Sequence, residues 1–129
     1  MSTNHGTLGN GAGFGAGRFG QGFTLNGVGG IDVPDSAASA FGTNDFSIVL
    51  WANFADTSGR RSFIASDNGG GSQEKWIFWL DNGNIIFHMN GASGDVDLGV
   101  VPFTTPEGLW HHFAVTRRGS AYSFFTNGV

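Results

Sequence analysis

Asp95-Val96-Asp97 is the one place in the chain where carboxylates recur at alternate positions. On an extended chain, residues two apart project from the same side. Such a pair could flank a scissile glycosidic bond, whose hydrolysis takes two carboxyl groups about 5–10 Å apart. It could also hold calcium, a hard cation that takes about six to eight oxygens. The only glutamates, Glu74 and Glu107, join no acidic array, and the Asp95-Asp97 segment is flanked by glycine. No enzymatic activity is therefore expected, and Asp95 and Asp97 stand as candidate calcium ligands. Asp67-Asn68 and Asp81-Asn82 offer further oxygens, although Asp and Asn in turns are explained as well by hydrogen bonds to their own backbone.

Stacking chemistry is the second candidate. In KWIFWLDNGNIIFHMN, residues 75–90, strand alternation puts Trp76, Phe78 and Leu80 on one face and Ile77 and Trp79 on the other. Beyond the turn, His88 and Asn90 alternate with Phe87 and Met89. One face enters the core; the other displays Trp76 or Trp79 beside the polar pair, unless both tryptophans are packed. Trp76, Trp79, His88 and Asn90 are thus the candidate carbohydrate contacts, and Trp51 and Trp110 read as core residues. The consecutive His111-His112 cannot readily share an ion, because neighbours on a strand face opposite sides.

The elements that must position these groups are short strands joined by turns. Apolar residues recur at every second position in runs separated by Gly, Asn, Asp and Ser. Strands are expected at 22–25, 30–33, 45–54 and 61–65, on both sides of Asn82-Gly83, and at 110–116 and 121–126. Asn82-Gly83 is a strong hairpin signal, because both central positions of a type I′ turn need φ > 0. Apolar residues on both faces of DFSIVLWANF (45–54) predict a central strand. SAASAFG forms either one helical turn or a loop, and SDNGGGSQ is a loop.

Bulk composition agrees. Glycine supplies 23 of 129 residues, against an average usage of about 7%; with no period of three and a steady supply of aromatics, this points to many tight turns. Ten acidic residues outnumber six Lys and Arg, giving a net charge of −4. No overall positive field draws nucleic acid, and Arg60-Arg61 and Arg117-Arg118 lack the interleaved aromatics of a nucleic-acid groove. There is no cysteine, so neither disulfides nor thiolate chemistry enter. No window approaches the roughly eighteen apolar residues of a membrane span, and the first twenty residues carry no apolar signal segment.

Three stretches, in order, resemble the laminin-G-like, concanavalin A-like family found in bacterial and viral surface proteins. They are NHGTLGNGAGFGAGRFGQGFTLNG followed by IDVPDS (4–36), DFSIVLWANF (45–54) and LWHHFAVTRRGSAYSFFTNG (109–128). The resemblance implies an all-β fold, an antiparallel jelly-roll sandwich, as one domain over residues 1–129. It implies a non-catalytic module that binds carbohydrate, often with calcium, in a secreted or surface-displayed chain. Domains of this family usually have strands before the first matched stretch and after the last, so the domain is expected to be incomplete at both ends. Sheet edges left open by those strands would be templates for self-association. A structural module that pairs with identical or neighbouring chains, in a virion or surface fibre, is the alternative function.

Overall fold

The computed structural model describes residues 5–67, 74–91, 93–104 and 106–129. The chain divides into two compact units, Met1–Ala40 and Phe41–Val129.

Among the described residues the first unit contains four strands, β1 (Thr7–Leu8), β2 (Ala12–Ala16), β3 (Gln21–Leu25) and β4 (Ile31–Asp32). The expected strands at 22–25 and 30–33 form, but they do not pair with each other. β3 pairs antiparallel with β2, and β4 with β1, so the glycine-rich opening itself supplies two strands. The turn between β2 and β3 closes with the Gly17 N–H donating to Gly20 O at 2.9 Å. Alternation puts Phe14 and Phe23 side by side on one face of this hairpin, with ring centroids 5.4 Å apart. SAASAFG forms turns without a helix.

The second unit is an antiparallel β-sandwich. β5 (Phe46–Asn53), β10 (Trp110–Arg118) and β11 (Ala121–Thr126) make a three-stranded sheet in the order β11-β10-β5. β6 (Arg60–Ser66), β7 (Lys75–Asp81), β8 (Asn84–Gly91) and β9 (Gly94–Pro102) make a four-stranded sheet in that order. The expected central strand, β5, therefore ends its sheet, and β10 lies in the middle. The loop SDNGGGSQ falls mostly on residues 68–73, outside the described residues.

Period-two patterning drives the packing. Phe46, Ile48 and Leu50 of β5, Phe113 and Val115 of β10 and Phe124 of β11 face Trp76, Phe78 and Leu80 of β7 and Ile85 and Phe87 of β8 in one core. Phe78, Phe87 and Phe113 are fully buried. Burying each removes about 150–250 Å² from water, so these rings dominate the stability of the sandwich. The β7–β8 hairpin has the expected turn, with φ of 47° at Asn82 and 78° at Gly83, both positive as type I′ demands.

Trp51 does not enter the core. It shares the outward set of β5 with Ser47 and Val49 and is 40% exposed, edge-on to His112 with centroids 5.3 Å apart. Trp110 is half-buried. Alternation fixes this outcome: once Phe46, Ile48 and Leu50 face the core, the residues between them cannot.

Candidate functional site

Three connections meet at one end of the sandwich: the β5–β6 loop, the β7–β8 turn and the β9–β10 loop. Backbone hydrogen bonds stitch them together. Asn82 N–H donates to Gly59 O at 3.0 Å, Phe103 N–H to Gly83 O at 2.7 Å and Gly108 N–H to Phe54 O at 2.8 Å. Thr57 N–H donates to Glu107 Oε1 at 3.2 Å. Between the loops lies a cleft of about 430 Å³ lined by Asp56, Thr57, Ser58, Asn82, Phe103, Thr104 and Glu107, with the Gly83 backbone.

Its charges are arranged unevenly. Arg61 clasps Asp56, donating from Nη2 to the carboxylate at 2.6 Å and from Nε to the backbone carbonyl at 3.1 Å. The Ser58 N–H donates to Asp56 Oδ1 at 2.7 Å. Hydrogen bonds from Ser58, helped by the Arg61 charge, hold the Asp56 carboxyl below the ordinary carboxylate range. Glu107 has no cationic partner among the described residues. Phe103 roots the cleft in the core, its ring edge-on to Phe113 at 5.3 Å and to His111 at 5.4 Å.

Of the residues singled out from the sequence, Asn82 lines the cleft, and the candidate carbohydrate and calcium contacts lie elsewhere. Trp76 is in the core, stacked on Phe41 and Phe87 at centroid distances of 4.9 and 5.9 Å. Trp79, His88 and Asn90 share the outer face of the four-stranded sheet. Trp79 is nevertheless only 7% exposed: Arg60 lies over its ring and His88 stacks against it at 5.5 Å. With Ile77 and Ile86 it forms a small second apolar cluster.

Asp95 and Asp97 share a face of β9, opposite Asn90 and His88. His88 Nδ1 sits 2.7 Å from Asp97 Oδ1. Among the described residues no group of three or more His, Asp or Glu side chains could hold a metal ion. Two carboxylates, one of them engaged by histidine, fall short of the roughly six to eight oxygens that calcium takes. Asp67 pairs with Lys75 at 3.8 Å, and Asn68 is outside the described residues.

His111 and His112 face opposite sides of β10, as strand alternation requires. His111 is buried, with Nδ1 3.3 Å from Asn127 Nδ2.

The cleft residues were hidden in the sequence because they come from three separated loops and form no local pattern. The sequence marks Asn82 as a turn residue with an available oxygen and Glu107 as an isolated glutamate, but nothing local joins either to Asp56.

The family model for the concanavalin A-like lectin/glucanases superfamily matches residues 25–129. No curated protein and no solved structure matches the chain.

Proposed function

We propose that this chain, which belongs to the concanavalin A-like lectin/glucanases superfamily, is a non-catalytic module that binds a sugar residue in the loop-end cleft of its sandwich. The cleft carries the reading. At about 430 Å³ it lies within the range of roughly 300–1,000 Å³ common to small-ligand pockets. Hydroxyl, amide and carboxylate groups suit the alternating donors and acceptors of a sugar, and Phe103 offers an apolar surface to its C–H face. The backbone bonds between the three loops fix these groups in advance, which lowers the ordering cost of binding.

The state of Asp56 supports a non-catalytic role. A glycosidase needs one carboxylic acid with a raised pKa to protonate the leaving oxygen. Asp56 is shifted the opposite way, and its oxygens are committed to Arg61 and Ser58. Trp79 and His88 then brace the sheet, and the sugar lies in the cleft and not on the Trp79, His88 and Asn90 face, since Arg60 and His88 already cover the indole. Membership of the family supports a secreted or surface-displayed setting. Among the described residues no helix is long and apolar enough to cross a membrane.

The test is a titration of the 129-residue chain against a glycan panel, followed by calorimetry and thermal unfolding. One sugar class is expected to bind saturably and raise the unfolding midpoint. Asn82→Gly, which keeps the turn, and Thr104→Ala are each expected to weaken binding about ten-fold, or ~1.4 kcal/mol. Failure of every glycan to bind at millimolar concentration would sink the reading.

A second reading, assembly with identical or neighbouring chains, draws on the first unit. Phe14 and Phe23 are 61% and 57% exposed on their hairpin, and a two-stranded hairpin alone is marginally stable in water. Concentration-dependent sedimentation lost in Phe14→Ser would favour assembly; a monomer at all concentrations would dismiss it.

A further inference from the structure

We infer that the loop-end cleft selects cationic sugars: it binds an amino sugar in preference to the N-acetylated sugar, and rejects uronic acids. The inference rests on the carbohydrate reading and adds to it the charge of the ligand.

Its basis is the charge inventory around the cleft. Two carboxylates, Asp56 and Glu107, line it, and no cationic side chain does. Arg60 and Arg61, which follow the lining residue Ser58 closely in the chain, are both already paired. Arg61 is bound to Asp56 through the carboxylate and the backbone carbonyl. Arg60 donates from both Nε and Nη2 to Asp81 Oδ2, at 3.2 and 2.8 Å, and lies over Trp79. Asp81 also accepts from Asn82 Nδ2 at 2.9 Å. Arg60 with Asp81 and Arg61 with Asp56 therefore form two compensated pairs, which leaves the Glu107 charge uncompensated at the cleft.

Glu107 is oriented as well as charged. Thr57 N–H holds Oε1 against the β5–β6 loop, and an anionic acceptor already fixed in place gains more from a charged donor than a mobile one does. An ammonium group on a bound sugar would supply the missing counter-charge. A uronate would bring a second negative charge beside Glu107 without a cation to receive it, and like charges brought together in an interface are costly. The N-acetylated sugar keeps the shape of the ring and loses the charge, so it isolates the electrostatic contribution.

The experiment is an NMR titration of the ¹⁵N-labelled chain at pH 6, where a carboxylate is ionised and an amine is protonated. The probes are glucosamine and galactosamine, their N-acetyl derivatives, and glucuronic and galacturonic acids. Amide resonances of Thr57, Asn82 and Glu107 are followed. At least one amino sugar is expected to bind about five- to ten-fold more tightly than its N-acetyl counterpart, a preference reduced by added salt, with the uronic acids weakest. Glu107→Gln is expected to abolish that preference, bringing the amino sugar down to the affinity of its N-acetyl counterpart in the same variant.

Equal affinity for amino and N-acetyl sugars, or tighter binding of a uronic acid, would overturn the inference and leave the carbohydrate reading standing. A preference that survives in Glu107→Gln would also overturn it. Absence of any response at the cleft to all six sugars would overturn the inference, and the carbohydrate reading would then be decided by the neutral sugars of the glycan panel.

Discussion

Arg60 lies over the indole of Trp79, its guanidinium carbon 3.9 Å from the ring centroid. The contact is one step of a diagonal across the whole four-stranded sheet. Arg60 on β6 covers Trp79 on β7, His88 on β8 stacks on Trp79, and His88 in turn meets Asp97 on β9. Each step joins neighbouring strands, so the diagonal acts as a brace on the outer face, opposite the main core.

Removing the first step should therefore loosen the face without unfolding the sandwich. Arg60→Ala loses a cation–π contact and the ion pair with Asp81, whose partners are largely solvated on the arginine side. The expected loss is about 1 kcal/mol. Denaturant unfolding measures it, and a red shift in tryptophan fluorescence should accompany it as Trp79 becomes wetter. A loss above about 3 kcal/mol would mean that the contact is part of the core instead.

Gly99 makes a sharper prediction. Its φ is 60°, in the left-handed region, and it sits where the β8–β9 register shifts between Ile85 and Phe87. A Cβ there would run into the Phe124 ring across the sandwich. Gly99→Ala thus meets both backbone strain and overpacking, each costing about 1–3 kcal/mol. The variant is expected to unfold at a clearly lower denaturant concentration. Gly83→Ala, with open space around its Cβ position, should suffer the backbone penalty alone, and equal losses in the two variants would refute the role given to Phe124.

These two glycines also show what the sequence could and could not reveal. Asn82-Gly83 was legible because the turn chemistry is local to two residues. Gly99 was not, because its constraint comes from Phe124, a residue distant in sequence. The same division runs through the fold. Alternation in 45–54, 75–90 and 110–126 marks the strands and their faces, and even separates His111 from His112. It does not reveal strand order, so β5 looked central when it ends its sheet. Nor does it reveal which apolar face is covered: Trp51 reads as core and faces outward, while Trp79, which the pattern leaves either displayed or packed, lies under Arg60. Nor does it reveal the cleft, since Asp56, Asn82 and Glu107 meet only when three loops converge.

Calcium provides a test of the β9 carboxylates. Any ion held by Asp95 and Asp97 shares the Asp97 carboxylate with His88 and must find most of its remaining ligands in water. Binding there is expected to be no tighter than about 10⁻³ M, the weak end of the calcium-site range. It should be accompanied by a shift of the His88 ring resonances and lost in Asp95→Asn. A micromolar calcium affinity that survives Asp95→Asn would place the ion elsewhere in the chain.

Acid should act on the cleft through Asp56. Its carboxyl titrates below the ordinary range in the folded protein, chiefly because Ser58 hydrogen-bonds to it, with Arg61 adding a favourable charge. A depressed folded pKa means that the unfolded chain takes up the proton first as pH falls. The stabilisation is thus fully present above the unfolded value of about 3.9, and is lost progressively as pH drops from there through the folded pKa. Because Asp56 is exposed, the contribution is small, and its signature is the window and not the size. Unfolding midpoints followed from pH 5 to pH 2 should fall less steeply in Asp56→Asn than in the unsubstituted chain. Between pH 5 and 7 the two slopes should match. A difference confined to that upper range would mean that Asp56 titrates above the ordinary carboxylate range, as a glycosidase acid would, and would reopen the case for catalysis.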